Sequence, residues 1–143
     1  MRNQQWFSRP IRPVRLAMLA LLVMLVSSWA ACSNPTREEL ASLAARGYYQ
    51  HLVDGDYDHF LEGRLMADSL PDDYRSQLND AYAQFLAQQT KSRGGIREVR
   101  VSRAFTDSTL NYTSVLLMLC YGDSTTEEVI VPMVERDGRW MMK

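Results

Sequence analysis

Three observations predict an α+β fold in which N-terminal helices pack on a curved four-strand antiparallel sheet. A capping box, Thr36-Arg37-Glu38-Glu39, opens a stretch whose apolar residues recur at three- and four-residue steps. From Ile96 onward the period changes from helical to two. Asp137-Gly138, held between Arg136 and Arg139, is a two-residue hairpin signal joining the last two extended segments. Helices first and strands after place the sheet around the long amphipathic helix, with one face buried against it.

The first helix runs from the capping box along a stripe of Leu40, Leu43, Ala44, Gly47, Tyr48, His51 and Leu52, and Gly55 supplies the left-handed residue that ends it. Asp56 caps a second, shorter helix with Tyr57, Phe60, Leu61 and, if it continues past Gly63, Leu65 on its apolar face. Ser69-Leu70-Pro71-Asp72-Asp73 offers a cap, an early proline and two acids for a third helix. Tyr74, Leu78, Ala81, Tyr82, Phe85 and Gln89 form its apolar stripe, and Gly94-Gly95 stops it. In the first strand Val99 and Val101 alternate with Glu98, Arg100 and Ser102, and Thr106–Thr109 turns the chain. Tyr112–Tyr121 is apolar on both parities from Val115, which marks a central strand covered on both sides or resting on a partner. The third strand, Glu127–Arg136, contains Pro132, expected at a bulge or on an unpaired side.

Ahead of this domain, Arg2, Arg9, Arg12 and Arg15 precede eleven apolar residues, Leu16–Val26, that stop at Ser27-Ser28-Trp29-Ala30-Ala31-Cys32. A basic head, a short apolar middle and small residues at its end are the pattern of an export signal, and the middle is too short for an ordinary spanning helix. Cys32 after two alanines resembles the lipobox of bacterial lipoproteins, which implies a diacylated cysteine at the mature N-terminus. Trp29 stands where a lipobox carries an aliphatic residue, and Ser28-Trp29-Ala30 also suits ordinary signal peptidase, so secretion without lipid is the alternative. The expected organisation is a lipoprotein signal peptide over 1–31, a lipidated cysteine and short tether over 32–35, and one domain over 36–143. The expected location is the bacterial cell envelope, anchored through Cys32 at the outer membrane, with the periplasm or the medium as the alternative.

Removing residues 1–31 leaves 112 residues, enough for one core. Lys plus Arg falls from 16 to 12 against an unchanged 17 Asp plus Glu, so the mature chain carries a charge of about −5. That balance argues against a nucleic-acid partner, which needs clustered cations. With Cys32 lipidated, Cys120 is the one remaining thiol; inside Val115–Tyr121 it reads as a small buried hydrophobe.

Several spaced blocks carry a family likeness: Tyr49-Gln50-His51-Leu52-Val53-Asp54-Gly55-Asp56-Tyr57-Asp58, Leu70-Pro71-Asp72-Asp73-Tyr74-Arg75, Gly94-Gly95-Ile96, Tyr121-Gly122-Asp123, and Pro132-Met133-Val134-Glu135-Arg136-Asp137-Gly138-Arg139-Trp140. Together they resemble the small DUF4878-type lipoproteins of Bacteroides-like bacteria, over about Leu40–Lys143. The resemblance implies an NTF2-like, cystatin-like α+β fold and an envelope address; the family has no agreed activity.

Asp54-Gly55-Asp56-Tyr57-Asp58 alternates three carboxylates, yet His59 stands where a calcium loop needs glycine and Leu65 where it needs glutamate, so the segment reads as a turn and a cap. His51 and His59, eight residues apart across a helix break, lack metal-ligand spacing. No metal or other cofactor is expected, and no catalytic residue is assigned. Folds of the kind implied by the resemblance leave a cone-shaped hollow between helix and sheet, and Tyr48, His51, Tyr82 and Trp140 are the candidates for its wall. The expected role is a non-enzymatic binding module for a small apolar ligand or an envelope protein, with a homodimer through the open sheet face as a further possibility. The alternative is an isomerase or dehydratase with an acid or base in the hollow.

Overall fold

The structure, a computed structural model, describes residues 34–143; the expected export signal and Cys32 lie outside the described residues. Helix α1 (Arg37–Val53) opens as expected, with the Thr36 hydroxyl accepting the Glu39 amide at 3.2 Å and the Glu39 carboxylate accepting the Thr36 amide at 2.8 Å. Its buried line is Ala41, Ala45 and Leu52, with Tyr48 and Tyr49 packed beside them. This departs from the expected stripe: Leu40 is 39% and Leu43 69% exposed. The helix is turned by one residue, about 100°, because the two alanines let its axis lie close to the sheet where leucines would hold it off.

Helix α2 (Tyr57–Glu62) and a single 3₁₀ turn (Ala67–Ser69) lead to helix α3 (Asp72–Arg93). Ser69 bonds Met66 inside the 3₁₀ turn rather than capping α3, which starts at Pro71 without a side-chain cap. Gly94, at φ 74°, ends α3 as expected.

The sheet is an antiparallel meander in the order β1 (Ile96–Asp107), β2 (Tyr112–Tyr121), β3 (Thr126–Arg136) and β4 (Arg139–Met142). Two register shifts in β1, between Ile96 and Glu98 and between Val101 and Arg103, increase its twist. Val115, Leu117, Leu119 and Tyr121 of β2 point to the helix side and join Val99, Val131, Met133, Trp140 and α1 in one core. Thr113, fully buried in this row, is satisfied by the Thr106 hydroxyl at 3.0 Å, and Thr106 in turn bonds Glu38 of α1. That bond holds the Glu38 carboxyl below its ordinary pKa.

Asp137 and Gly138, at φ 52° and 75°, make the expected β3–β4 turn. Pro132 pairs with Ser114 without a bulge. Its carbonyl accepts the Lys143 amide on the β4 side, where β4 has already ended, so its missing N–H interrupts no ladder bond. On the outer face, Leu116 is buried while Phe105 and Ile130 beside it are 50% and 66% exposed. Cys120 lies on this outer face, paired with Glu98 and Thr126 and partly exposed, rather than in the core.

Candidate ligand cleft and histidine cluster

Gly63 is the pivot of an open cleft with an apolar wall. It caps the end of α2, and a side chain there would enter the Tyr48 ring, so only glycine lets the chain cross that ring. The segment behind it then lies along β4: the Met142 amide bonds the Gly63 carbonyl at 2.7 Å and the Leu65 amide bonds the Met142 carbonyl at 2.8 Å. Between this segment and α3 opens a cleft of about 390 Å³ whose apolar wall includes Leu61, Leu70, Leu78, Tyr82 and Met142. Arg64 and Lys143 are the charged residues of its lining, and the Lys143 ammonium lies over the Tyr112 ring, 5.5 Å from its centroid. Its volume falls in the range of small-molecule sites.

Of the four residues expected around the hollow, Tyr82 alone lines the cleft. Tyr48 and Trp140 are brought together in the core: the Tyr48 hydroxyl donates to the Trp140 carbonyl at 3.0 Å, and Trp140 is 8% exposed beneath the Arg37 guanidinium, 5.2 Å from its ring. Both pack in the core between α1 and the sheet, and the cleft lies outside it. Leu70, Leu78 and Met142 were not singled out as site residues in the sequence; the parallel contact of residues 63–65 with β4, which carries no pattern signal, is what gathers them. Tyr82 is positioned by an aromatic chain, with Phe60 edge-on to it at 5.0 Å and Tyr49 edge-on to Phe60 at 5.5 Å. Burial pushes the Tyr49 hydroxyl above its ordinary pKa.

His51 points elsewhere. Gly55, at φ 81°, closes α1 in a Schellman motif: the Asp56 amide bonds the His51 carbonyl at 2.8 Å and the Gly55 amide bonds the Leu52 carbonyl at 3.1 Å. Asp56 then caps α2. One residue therefore serves both helix ends, and its carboxylate meets His51 Nδ1 at 3.1 Å and His59 Nδ1 at 2.7 Å. The rings stack with centroids 5.1 Å apart. The hydrogen bond from His59 lowers the Asp56 pKa, and that bond together with the Asp56 charge raises that of His59. Chain spacing had set the two histidines apart as unfit for a shared ligand; the double cap brings them together. The turn-and-cap reading of Asp54–Asp58 holds.

No helix among the described residues is long and apolar enough to cross a membrane. No family model matches the chain, and no curated protein matches it. Among solved structures it is similar to a Campylobacter jejuni protein assigned as an NTF2-like transpeptidase, with a TM-score of 0.52 and 14% identity. The match covers 68% of this chain and 92% of that one. At that identity the likeness speaks for architecture alone, and with the helices and meander described above it establishes that residues 35–143 adopt an NTF2-like fold.

Proposed function

We propose that the chain is an exported lipoprotein of the DUF4878 type, tethered through Cys32, whose domain binds a small ligand in the cleft between α3 and the segment before it, without turning it over. The cleft carries this reading. Its wall is apolar and aromatic, Arg64 supplies a cation, and its lining contains no carboxylate or histidine side chain for acid–base work. A ligand with an apolar body and an anionic end fits that chemistry. The outer sheet face, with Phe105 and Ile130 exposed beside Leu116, is the surface proposed for a second copy.

Two experiments on the full chain test this. Mass spectrometry of protein extracted from membranes should return a diacylated chain starting at Cys32, and under native conditions a dimer; an unmodified chain starting at Ala31 refutes the anchor, and a monomer refutes the pairing. A thermal-shift screen of medium-chain carboxylates and related amphiphiles should raise the melting temperature, and Tyr82→Ala should abolish the shift while the fold survives. A substrate consumed by the protein, with loss of turnover in Tyr82→Ala, would replace binding by catalysis.

A further inference from the structure

We propose that His51, Asp56 and His59 form a binding site for one divalent transition-metal cation of the Zn²⁺ type, distinct from the cleft. Their ligand atoms all lie within 4.8 Å of one another. The two carboxylate–imidazole separations, 2.7 and 3.1 Å, lie close to the edges of a metal polyhedron, the shorter needing to open slightly: with bonds of about 2.0–2.2 Å, a nitrogen–oxygen edge is roughly 2.9 Å at a right angle and 3.4 Å at a tetrahedral one. Only the nitrogen–nitrogen edge has to close, and both rings have room to turn, since the His51 and His59 side chains are 45% and 61% exposed.

The backbone holds the three donors in place before any ion arrives. His51 is fixed by the Schellman motif, Asp56 by its two caps and His59 by the first turn of α2. The surrounding charge suits a cation: between Arg46 and Arg64 the chain has Asp54, Asp56, Asp58 and Glu62 and no Lys or Arg. Two imidazoles with one carboxylate favour Zn²⁺, Ni²⁺ or Cu²⁺ over Ca²⁺ and Mg²⁺, which take oxygen ligands. Three protein ligands leave a position for water or for a donor from another molecule. In the loaded form each ring offers its Nδ1 lone pair and keeps its proton on Nε2; a doubly protonated ring releases one proton to solvent. The bound ion would tie the last turn of α1 to the first turn of α2.

Calorimetric titration of the full chain, purified without a histidine tag, with ZnCl₂ at pH 7.5 should give one site per chain, and CaCl₂ and MgCl₂ should give none. His51→Gln and His59→Gln retain a side-chain amide that can donate to Asp56 but lose the ligand, and each should weaken Zn²⁺ at least about tenfold, a loss that even an outer partner of a ligand produces. Asp54→Asn with Asp58→Asn, which removes nearby charge but no ligand, should weaken binding far less than either Gln variant. In the unaltered chain, Zn²⁺ should shift the Nδ1 resonances of both histidines, a readout that needs no variant. Absence of a Zn²⁺ site, wild-type affinity in both Gln variants, or Nδ1 resonances unmoved by Zn²⁺ would overturn the proposal.

Discussion

Helices α1 and α3 look alike as patterns and behave differently as structure. The 17 residues of α1 bury Ala41, Ala45 and Leu52 and pack against all four strands. The 22 residues of α3 bury none; Tyr74 and Phe85, on its apolar stripe, are 48% and 41% exposed. Besides Tyr82 and Leu86, which pack against the core, the anchors of α3 are polar and terminal. Near its start Arg75 donates to the Ala67 carbonyl at 3.0 Å and Asn79 to Asp58 at 2.8 Å; at its end Arg93 bonds Thr125 and Glu127 and lies over the Tyr121 ring, 3.5 Å from its centroid. One helix therefore carries the core, and the other serves as a wall fastened at both ends. The core lies with the first, and the second walls the cleft.

The contrast breaks most sharply at Trp140, where α1, β4 and Arg37 meet. Trp140→Ala should cost about 3–5 kcal/mol in a urea melt, because the neighbours cannot refill so large a void. A loss below about 1 kcal/mol would mean that the α1 side is not where the fold's stability resides. Gly63→Ala comes next. The new methyl enters the Tyr48 ring and displaces either that ring or the strand contact of residues 63–65, for about 1–3 kcal/mol; its melt should also lose any ligand shift at the cleft, since the same segment forms one wall. Phe85→Ala, on α3 and away from the cleft lining, should change stability by under about 0.5 kcal/mol. A larger effect in thermal melts would show that α3 is a core element after all.

The sequence made the boundaries of these helices legible and their depths not. The capping box, the Gly94 stop, the change of period at Ile96 and the Asp137-Gly138 turn are local chemistry, and each stands where it was expected. Periodicity supplies a spacing, while the buried phase depends on the partner surface: α1 offers Leu40 and Leu43 on one line and Ala41 and Ala45 on the next, and the sheet chose the smaller residues. For α3 the partner surface covers only part of the stripe: Tyr82 meets Phe60, while Tyr74 and Phe85 stay exposed. The hollow was misplaced for the same reason, since whether Tyr48 and Trp140 line a space or fill it depends on how close α1 comes to β4. The histidine cluster was hidden by counting along the chain, where a double cap at Asp56 makes eight residues a short distance.

The backbone contact between Gly94 and Gly122 has a mechanical consequence. A side chain at Gly122 would stand 2.5 Å from the Gly94 carbonyl oxygen, and the Gly122 amide bonds the Gly95 carbonyl at 2.9 Å, so bare backbone meets bare backbone where α3 leaves the sheet. With no interlocked side chains between those two glycines, the joint acts as a fulcrum. A helix of 22 residues is a lever about 33 Å long, and tilting it by about 5° about that end sweeps its far end through roughly 3 Å. Tyr74 and Leu78 ride on the far part of the lever. The hydrogen bonds of Arg75 and Asn79 near that far end oppose such a tilt, so a wider gape of the cleft has to be won against them.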